Sequence, residues 1–234
     1  MCFSAPVSFA VSAVLIPIGA LTVNFALQHD RRYLALAAFP LLFGIQQAFE
    51  GWLWIALGSD TGANLWPAAV GFLFFAYLLW PFLVPLAADR VEPQPERRRI
   101  FRGFALIGLL FGLSLYLPLL LQPDWLVVSI SAHSILYEPV LIYDGYVSRT
   151  AVRVFYAVIV ATPLLFSTVA SLRLFGVLIL VSVAISALFF VYAFVSIWCF
   201  FAAILSLYII DVLKHSGYRT NGHAIGNNGT PLAR

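Results

Sequence analysis

Long apolar runs separated by short polar connections constrain the fold of this chain more than any other feature. A helix needs about 20 apolar residues, at about 1.5 Å each, to cross about 30 Å of hydrocarbon. Five runs come close to that length, and a sixth is about twice as long. The runs cover residues 8–27, 33–57, 65–87, 103–121, 152–170 and 172–213. This pattern predicts an all-α, polytopic transmembrane helical bundle.

The sixth run is long enough for two crossings, and we predict that it turns back near residues 189–192 to give seven spans. Seven spans place eleven of the 13 Lys and Arg residues on one side and only Arg149 and Arg153 on the other. Basic residues concentrate on the cytoplasmic side of membrane proteins. The charges therefore predict an inner (plasma) membrane protein with an outside amino terminus and a cytoplasmic carboxyl terminus. Six spans would reduce this asymmetry to eight against five.

The composition supports this class, because 62% of the residues are hydrophobic and only 10% are charged. A soluble domain has about 45–50% apolar and about 25% charged residues. The net charge of +3 comes from short basic clusters between the runs, which favours membrane orientation over nucleic-acid binding. We expect one transmembrane domain over residues 1–214, with the bilayer as its partner, and a disordered cytoplasmic tail over residues 215–234.

The segment between the fourth and fifth runs is rich in β-branched residues and tyrosine, and its polarity alternates in part with a period of two. This pattern predicts a small extracytoplasmic hairpin. An eighth span is the competing interpretation, but Asp124, His133, Glu138 and Asp144 interrupt the apolar residues.

Gly108 and Gly112 lie four residues apart in the fourth run. Small residues at this spacing allow two helix backbones to approach closely. Two uses of this face are open. It packs within the bundle, or it forms the interface of a homo- or hetero-oligomer.

Glu50 is the one acidic residue that falls well inside a predicted span. Gln46 and Gln47 precede it by four and three residues, so all three side chains share a helix face. A charged side chain at the bilayer centre costs about 2.5–3.5 kcal/mol on insertion scales, so such residues need partners. The three residues either hold helices together or bind a ligand, and misplaced span boundaries are a third explanation.

The predicted topology also places Cys2, His133 and Cys199 on the same outer side as Glu50. Thiolate, imidazole and carboxylate groups are ligands for zinc or copper, so these four residues form a candidate metal site. Two other interpretations are open. Cys2 and Cys199 form a disulfide, or Cys199 is a small core residue and His133 a solvated loop residue.

Several reaction classes have no sequence support. The chain contains no glycine-rich nucleotide loop, no HExxH and no GxSxG pattern. We therefore favour a binding or sensing protein over an enzyme. Its expected site is an outer pocket at Gln46, Gln47 and Glu50 that holds a small ligand or metal. A small-molecule or ion transporter or channel, and an accessory subunit of a membrane complex, are the alternatives.

Four short motifs together resemble a known family. They are MCFSA at residues 1–5, QQAFEG at 46–51, HSILY at 133–137 and WCFFAA at 198–203. The chain is similar to a family of uncharacterised bacterial multi-pass membrane proteins that begin with MCFSA. The resemblance covers nearly the whole chain and implies no activity, so it assigns no role to any residue.

Overall fold

The computed structural model describes residues 4–59, 65–131, 133–189 and 193–214, and these residues are mostly helical. We number seven helices in this part of the chain. They are α1 (Ala5–His29), α2 (Arg31–Leu57), α3 (Leu65–Val91), α4 (Pro95–Leu121), α5 (Arg149–Leu165), α6 (Ala170–Phe189) and α7 (Phe194–Lys214). Two short strands, β1 (Leu126–Ser131) and β2 (Ser134–Pro139), lie between α4 and α5. The predicted helical bundle with a small hairpin is confirmed.

Six of these helices are long and apolar enough to cross a membrane, and α5 is shorter, with 17 residues. The long sixth run forms two helices, as predicted, since α6 ends at Phe189 and α7 begins at Phe194. Residues 190–192, where the turn was expected, are outside the described residues, as is the predicted tail over 215–234.

Large apolar side chains are exposed on each of the seven helices. Examples in chain order are Leu21, Ile55, Phe74, Leu110, Val154, Val181 and Ile204. Water-soluble monomers rarely leave this much apolar surface exposed on every element. The distribution is typical of a bundle whose outer surface contacts lipid.

At two places a helix end differs by five or more residues from the end of the predicted apolar run. Helix α4 begins at Pro95, eight residues before the predicted start at Gly103, because proline is well accommodated in a first helical turn. Helix α5 ends at Leu165 instead of residue 170. The helix does not continue past Leu165 because the Ser167 hydroxyl and the Thr168 amide donate hydrogen bonds to the Glu92 carboxylate.

Glycines set the distances between neighbouring helices. A Cβ at Gly108 would lie 1.8 Å from the carbonyl oxygen of Pro81, and one at Gly112 would lie 2.7 Å from that of Tyr77. The Gly108/Gly112 face therefore packs against α3 of the same chain, one of its two predicted uses. On α2, a Cβ at Gly44 would meet Ile16 of α1 at 2.8 Å.

The hairpin lies across one end of the bundle, here called the hairpin end. Its strands are antiparallel, with Leu126 opposite Pro139 and Ser131 opposite Ser134. Strand β2 turns Ser134, Ile135 and Tyr137 inward, where they are buried. The Tyr137 ring stacks on Phe72 of α3 at 5.1 Å between centroids.

At the opposite end of the bundle, Glu92 joins the α3–α4 connection to the α5–α6 connection. Its carboxylate is buried and accepts hydrogen bonds from the Ser167 hydroxyl at 2.8 Å, the Thr168 amide at 2.8 Å and the Thr168 hydroxyl at 2.5 Å. Burial raises the pKa of Glu92, but these donors outweigh that effect and hold the pKa below its ordinary value.

Candidate functional site

The polar face predicted on α2 points into the bundle. Gln46, Gln47 and Glu50 are all almost completely buried, at 0%, 0% and 2% exposure. The Ser196 hydroxyl of α7 donates a hydrogen bond to the Glu50 carboxyl group. The Trp80 indole nitrogen of α3 donates to Gln46 Oε1 at 2.8 Å. This face therefore links α2 to both α3 and α7.

The two glutamines are incompletely paired. Gln46 Nε2 and both polar atoms of the Gln47 amide lack a hydrogen bond within the described chain. The Gln47 amide is close to Glu50, and the Gln46 amide is close to the Cys199 thiol, but neither pair has good hydrogen-bond geometry. Buried amides without good hydrogen bonds lower stability, so these two glutamines are a local cost to the fold.

A cavity of about 90 Å³ lies beside this polar face, at the hairpin end of the bundle. It is lined by α3, α4, α5, α7 and the hairpin segment, and it is partly open to the surface beside the exposed Arg149. Its lining residues with polar groups are Tyr77, Tyr137, Arg149, Arg153, Tyr156, Trp198 and Cys199, and the others include Leu115, Val152, Phe194 and Val195. Cys199 also lies beside the α2 polar face, so the cavity and that face adjoin.

Two hydrogen-bond donors in the cavity wall are buried without a partner. The Tyr137 hydroxyl and the Trp198 indole nitrogen form no hydrogen bond within the described residues, and their side chains are only 8% and 9% exposed. The other buried tyrosine hydroxyl of the wall, that of Tyr156, donates to the Ala76 carbonyl oxygen at 2.6 Å. Unpaired buried donors are uncommon in folded proteins and indicate an absent acceptor.

The two arginines of the cavity differ in their partners. Arg149 donates to the Pro139 carbonyl oxygen and to the Asp144 carboxylate, each at 2.8 Å. The Arg153 guanidinium lies over the Phe194 ring, 5.2 Å from its centroid, and forms no ion pair with a described residue. Their spacing of four residues puts both on one face of α5.

A widened turn of α3 runs along the cavity. Residues Phe74–Leu79 form a π-helical segment, which places Ala76 and Tyr77 in the cavity wall. Such segments within α-helices occur frequently at functional sites. Here the altered turn presents the Ala76 carbonyl oxygen to Tyr156.

A second, smaller cavity of about 30 Å³ shares Tyr156, Trp198 and Cys199 with the first. The rest of its wall is apolar apart from the Trp80 indole group, with residues such as Phe39, Val84 and Phe175. The polar surroundings of the first cavity therefore do not continue into the second.

The four predicted metal ligands are placed differently from one another. Glu50 and Cys199 are buried near each other, whereas His133 is exposed in the hairpin turn with a φ of 58°. Cys2 is outside the described residues. In the part of the chain that the structure describes, no three His, Cys, Asp or Glu residues are grouped to hold a metal. The four-ligand site stays a prediction, as does a Cys2–Cys199 disulfide.

Sequence reasoning found the polar face but missed the cavity residues Arg149, Arg153, Tyr137 and Trp198. One signal was present, because Arg149 and Arg153 were the two basic residues assigned to the outer side of the membrane. The two aromatic residues lie in two of the motifs that carry the family resemblance, Tyr137 in HSILY and Trp198 in WCFFAA, but that resemblance assigned them no role.

A family model matches nearly the whole chain. It is described as "Family of unknown function (DUF6629)" and covers residues 1–223. No curated protein and no solved structure matches the chain. The resemblance to an uncharacterised family is thus confirmed in its general form: the chain belongs to the family of unknown function DUF6629.

Proposed function

We propose that this chain is a multi-pass protein of the bacterial inner membrane that binds a small ligand in the cavity at the hairpin end. Exposed apolar side chains on every described helix support the membrane location. The distribution of the 13 basic residues supports an outside amino terminus and a cytoplasmic carboxyl terminus. In that orientation the hairpin and the cavity face the outside of the cell.

The observation that carries the binding function is the pair of unpaired donors in the cavity wall. The Tyr137 hydroxyl and the Trp198 indole nitrogen have no protein acceptor within the described residues, yet they border a space of about 90 Å³. A cavity needs about 10–15 Å³ to hold one water, so this space is large enough for more than a single water-sized group. A ligand with acceptor atoms would satisfy both donors.

Native mass spectrometry and metabolite extraction of the purified full-length protein test this proposal. We expect a bound small molecule in the wild type and loss of that molecule in Tyr137→Phe. The matched control is Tyr116→Phe, because Tyr116 is also buried but its hydroxyl donates to the Val70 carbonyl oxygen away from the cavity. Equal ligand content in all three proteins, or none in any, contradicts the proposal.

The polar face at Gln46, Gln47 and Glu50 adjoins the cavity at Cys199. We propose this face as the second part of the binding site. A Glu50→Gln variant tests this part through the same ligand measurement. Loss of the ligand supports a binding role for Glu50. An unchanged ligand content with a lower melting temperature would show that the face only holds helices together.

A metal ligand remains the alternative occupant. Metal analysis of wild type, Cys2→Ala and Cys199→Ala distinguishes it, since zinc or copper bound by these residues would fall in both variants. Equal and negligible metal in all three removes it. A transporter would instead show uptake of the bound species into vesicles, and an accessory subunit would lose a partner complex in Glu50→Gln without losing a ligand.

A further inference from the structure

The chemistry of the cavity wall indicates which class of ligand it accepts. From the convergence of two arginines and two unpaired donors on one cavity, we infer that the ligand is a small organic anion, with a carboxylate at Arg149 and Arg153. This inference rests on the proposed binding function and goes further by naming the ligand class.

The polar groups of the wall are mainly hydrogen-bond donors. Arginine and the tryptophan indole nitrogen donate only, and a tyrosine hydroxyl donates readily to an anion. Tyr137 and Trp198 have unused donors, while the Tyr156 hydroxyl is already bonded to Ala76. A neutral ligand rich in donors would leave these groups unsatisfied, whereas a carboxylate supplies two acceptor oxygens.

The charges on the wall favour an anion as well. Arg149 forms an ion pair with Asp144. Arg153 is half-buried, and its guanidinium lies over the Phe194 ring. Its charged or titratable neighbours are Tyr77 and Arg149. Glu50 is outside the cavity wall and is bonded to Ser196. One cation is therefore left without a carboxylate partner among the described residues. A ligand carboxylate could accept two hydrogen bonds from the Arg153 guanidinium, because planar guanidinium groups match carboxylate geometry.

The size and the apolar part of the wall limit the ligand further. A space of about 90 Å³ suits a small molecule. The side chains of Leu115, Val152, Phe194 and Val195 provide an apolar surface for the rest of the molecule. The second cavity continues this apolar surface past Trp198. A short aliphatic or aromatic monocarboxylate fits these features better than a phosphate or a long-chain lipid.

Paired probes test the charge without any variant. Hexanoate and benzoate are titrated into the detergent-solubilised full-length protein beside hexanamide and benzamide, which have the same shape without the charge. We expect the carboxylates to bind at least about tenfold more tightly than the amides. Equal binding of acids and amides overturns the anion inference and leaves the binding function standing. The anion inference is also overturned, and the binding function kept, if none of the four probes binds and the copurified molecule is neutral.

Variants of single arginines test whether Arg153 is the cation that binds the carboxylate. Arg153→Gln is expected to weaken carboxylate binding by about 10- to 100-fold, and Arg153→Lys by less. Arg99→Gln is the control for general attraction of anions, because Arg99 is exposed at the opposite end of the bundle. An equal effect of Arg99→Gln and Arg153→Gln overturns the inference. If Arg153→Gln does not fold, the comparison of acids with amides on the wild type decides.

Titration with a long-chain acid distinguishes a free small acid from a membrane lipid as the ligand. Hexadecanoate exceeds the atoms that the cavity holds, so we expect it to bind more weakly than hexanoate once its partition into micelles is corrected. Tighter binding of hexadecanoate overturns the assignment to a small acid. No bound species of any kind, with melting temperatures unaffected by all probes, overturns both this inference and the proposed function.

Discussion

Buried polar side chains in this bundle fall into two groups that differ in their hydrogen bonds. Glu92 and Asp89 at the end opposite the hairpin are paired, the former with Ser167 and Thr168 and the latter with Arg98 and Arg102. At the hairpin end, Gln47, Tyr137 and Trp198 retain unpaired atoms within the described residues. Paired groups stabilise the fold, whereas unpaired buried groups lower its stability.

The first prediction concerns the paired group. Glu92→Gln replaces one acceptor oxygen with an amide nitrogen, which then faces the donors of Ser167 and Thr168. We expect a loss of about 2 kcal/mol in the free energy of unfolding, a typical cost for a disrupted hydrogen bond to a buried charge. Glu96→Gln is the matched control, because Glu96 is exposed on the next helix. Thermal melts in detergent that show equal effects of the two variants would contradict this role of Glu92.

The lowered pKa of Glu92 predicts that the contribution of this residue to stability depends on pH. The pKa of Glu92 lies below its ordinary value of 4.5 because its donors outweigh the effect of burial. A depressed pKa in the folded state contributes stability above the unfolded-state pKa, and this contribution is lost as the pH falls through the folded-state pKa. The stability difference between wild type and Glu92→Gln should therefore shrink between pH 5 and acidic pH values near that pKa. A difference that grows on acidification would show that Glu92 is not held as a carboxylate.

At the scale of elements, the contact between α3 and α4 depends on glycine. Gly108→Ala would place a methyl group 1.8 Å from the Pro81 carbonyl oxygen, so the helices must separate. We expect a loss of about 1–3 kcal/mol, typical of an overpacked core. On the same helix, a Cβ at Gly103 meets nothing within 4 Å, so Gly103→Ala should leave stability unchanged or raise it by up to about 1 kcal/mol.

This pair of variants also separates the two predicted uses of the Gly108/Gly112 face. Packing within the chain predicts that Gly108→Ala lowers the melting temperature at every protein concentration. An interface between copies predicts instead a shift from oligomer to monomer with little change in the stability of the monomer. Size-exclusion chromatography with light scattering, run beside the melts, distinguishes the outcomes.

The helices were predictable from the sequence because hydrocarbon imposes a minimum length on apolar runs. The hairpin was predictable from its β-branched and aromatic residues. The ends of α4 and α5 were not predictable from hydropathy, since they depend on Pro95 and on the bonds of Ser167 and Thr168 to Glu92. Those bonds join residues about 75 positions apart, which no local pattern reveals.

At the scale of the whole molecule, the site combines one predictable part with one that arises from packing. The buried face of Gln46, Gln47 and Glu50 was visible because polar residues are rare within apolar runs. The cavity forms where α3, α5 and α7 meet the hairpin, so Arg153, Trp198 and Tyr137 come together only in the folded chain. The sequence therefore indicated the buried polar face that adjoins the cavity but not the cationic residues of the cavity wall.

The proposed orientation of the bundle would decide what the proposed site can bind, because an outward-facing cavity would be open to external solutes. Helix α4 contains 27 residues and is thus about 40 Å long, enough to separate its two ends by the thickness of the membrane. Glu96 lies at one end of α4 in an exposed position. Tyr146 follows the hairpin at the other end and is 92% exposed.

The most direct test labels single cysteines at these two positions in a background of Cys2→Ser and Cys199→Ala. A membrane-impermeant maleimide is added to intact spheroplasts and, in parallel, to permeabilised ones. We predict that Tyr146→Cys reacts in both preparations and that Glu96→Cys reacts only after permeabilisation. Reaction of both positions in intact spheroplasts, or the reverse pattern, would contradict a membrane-spanning bundle whose ligand cavity opens to the outside.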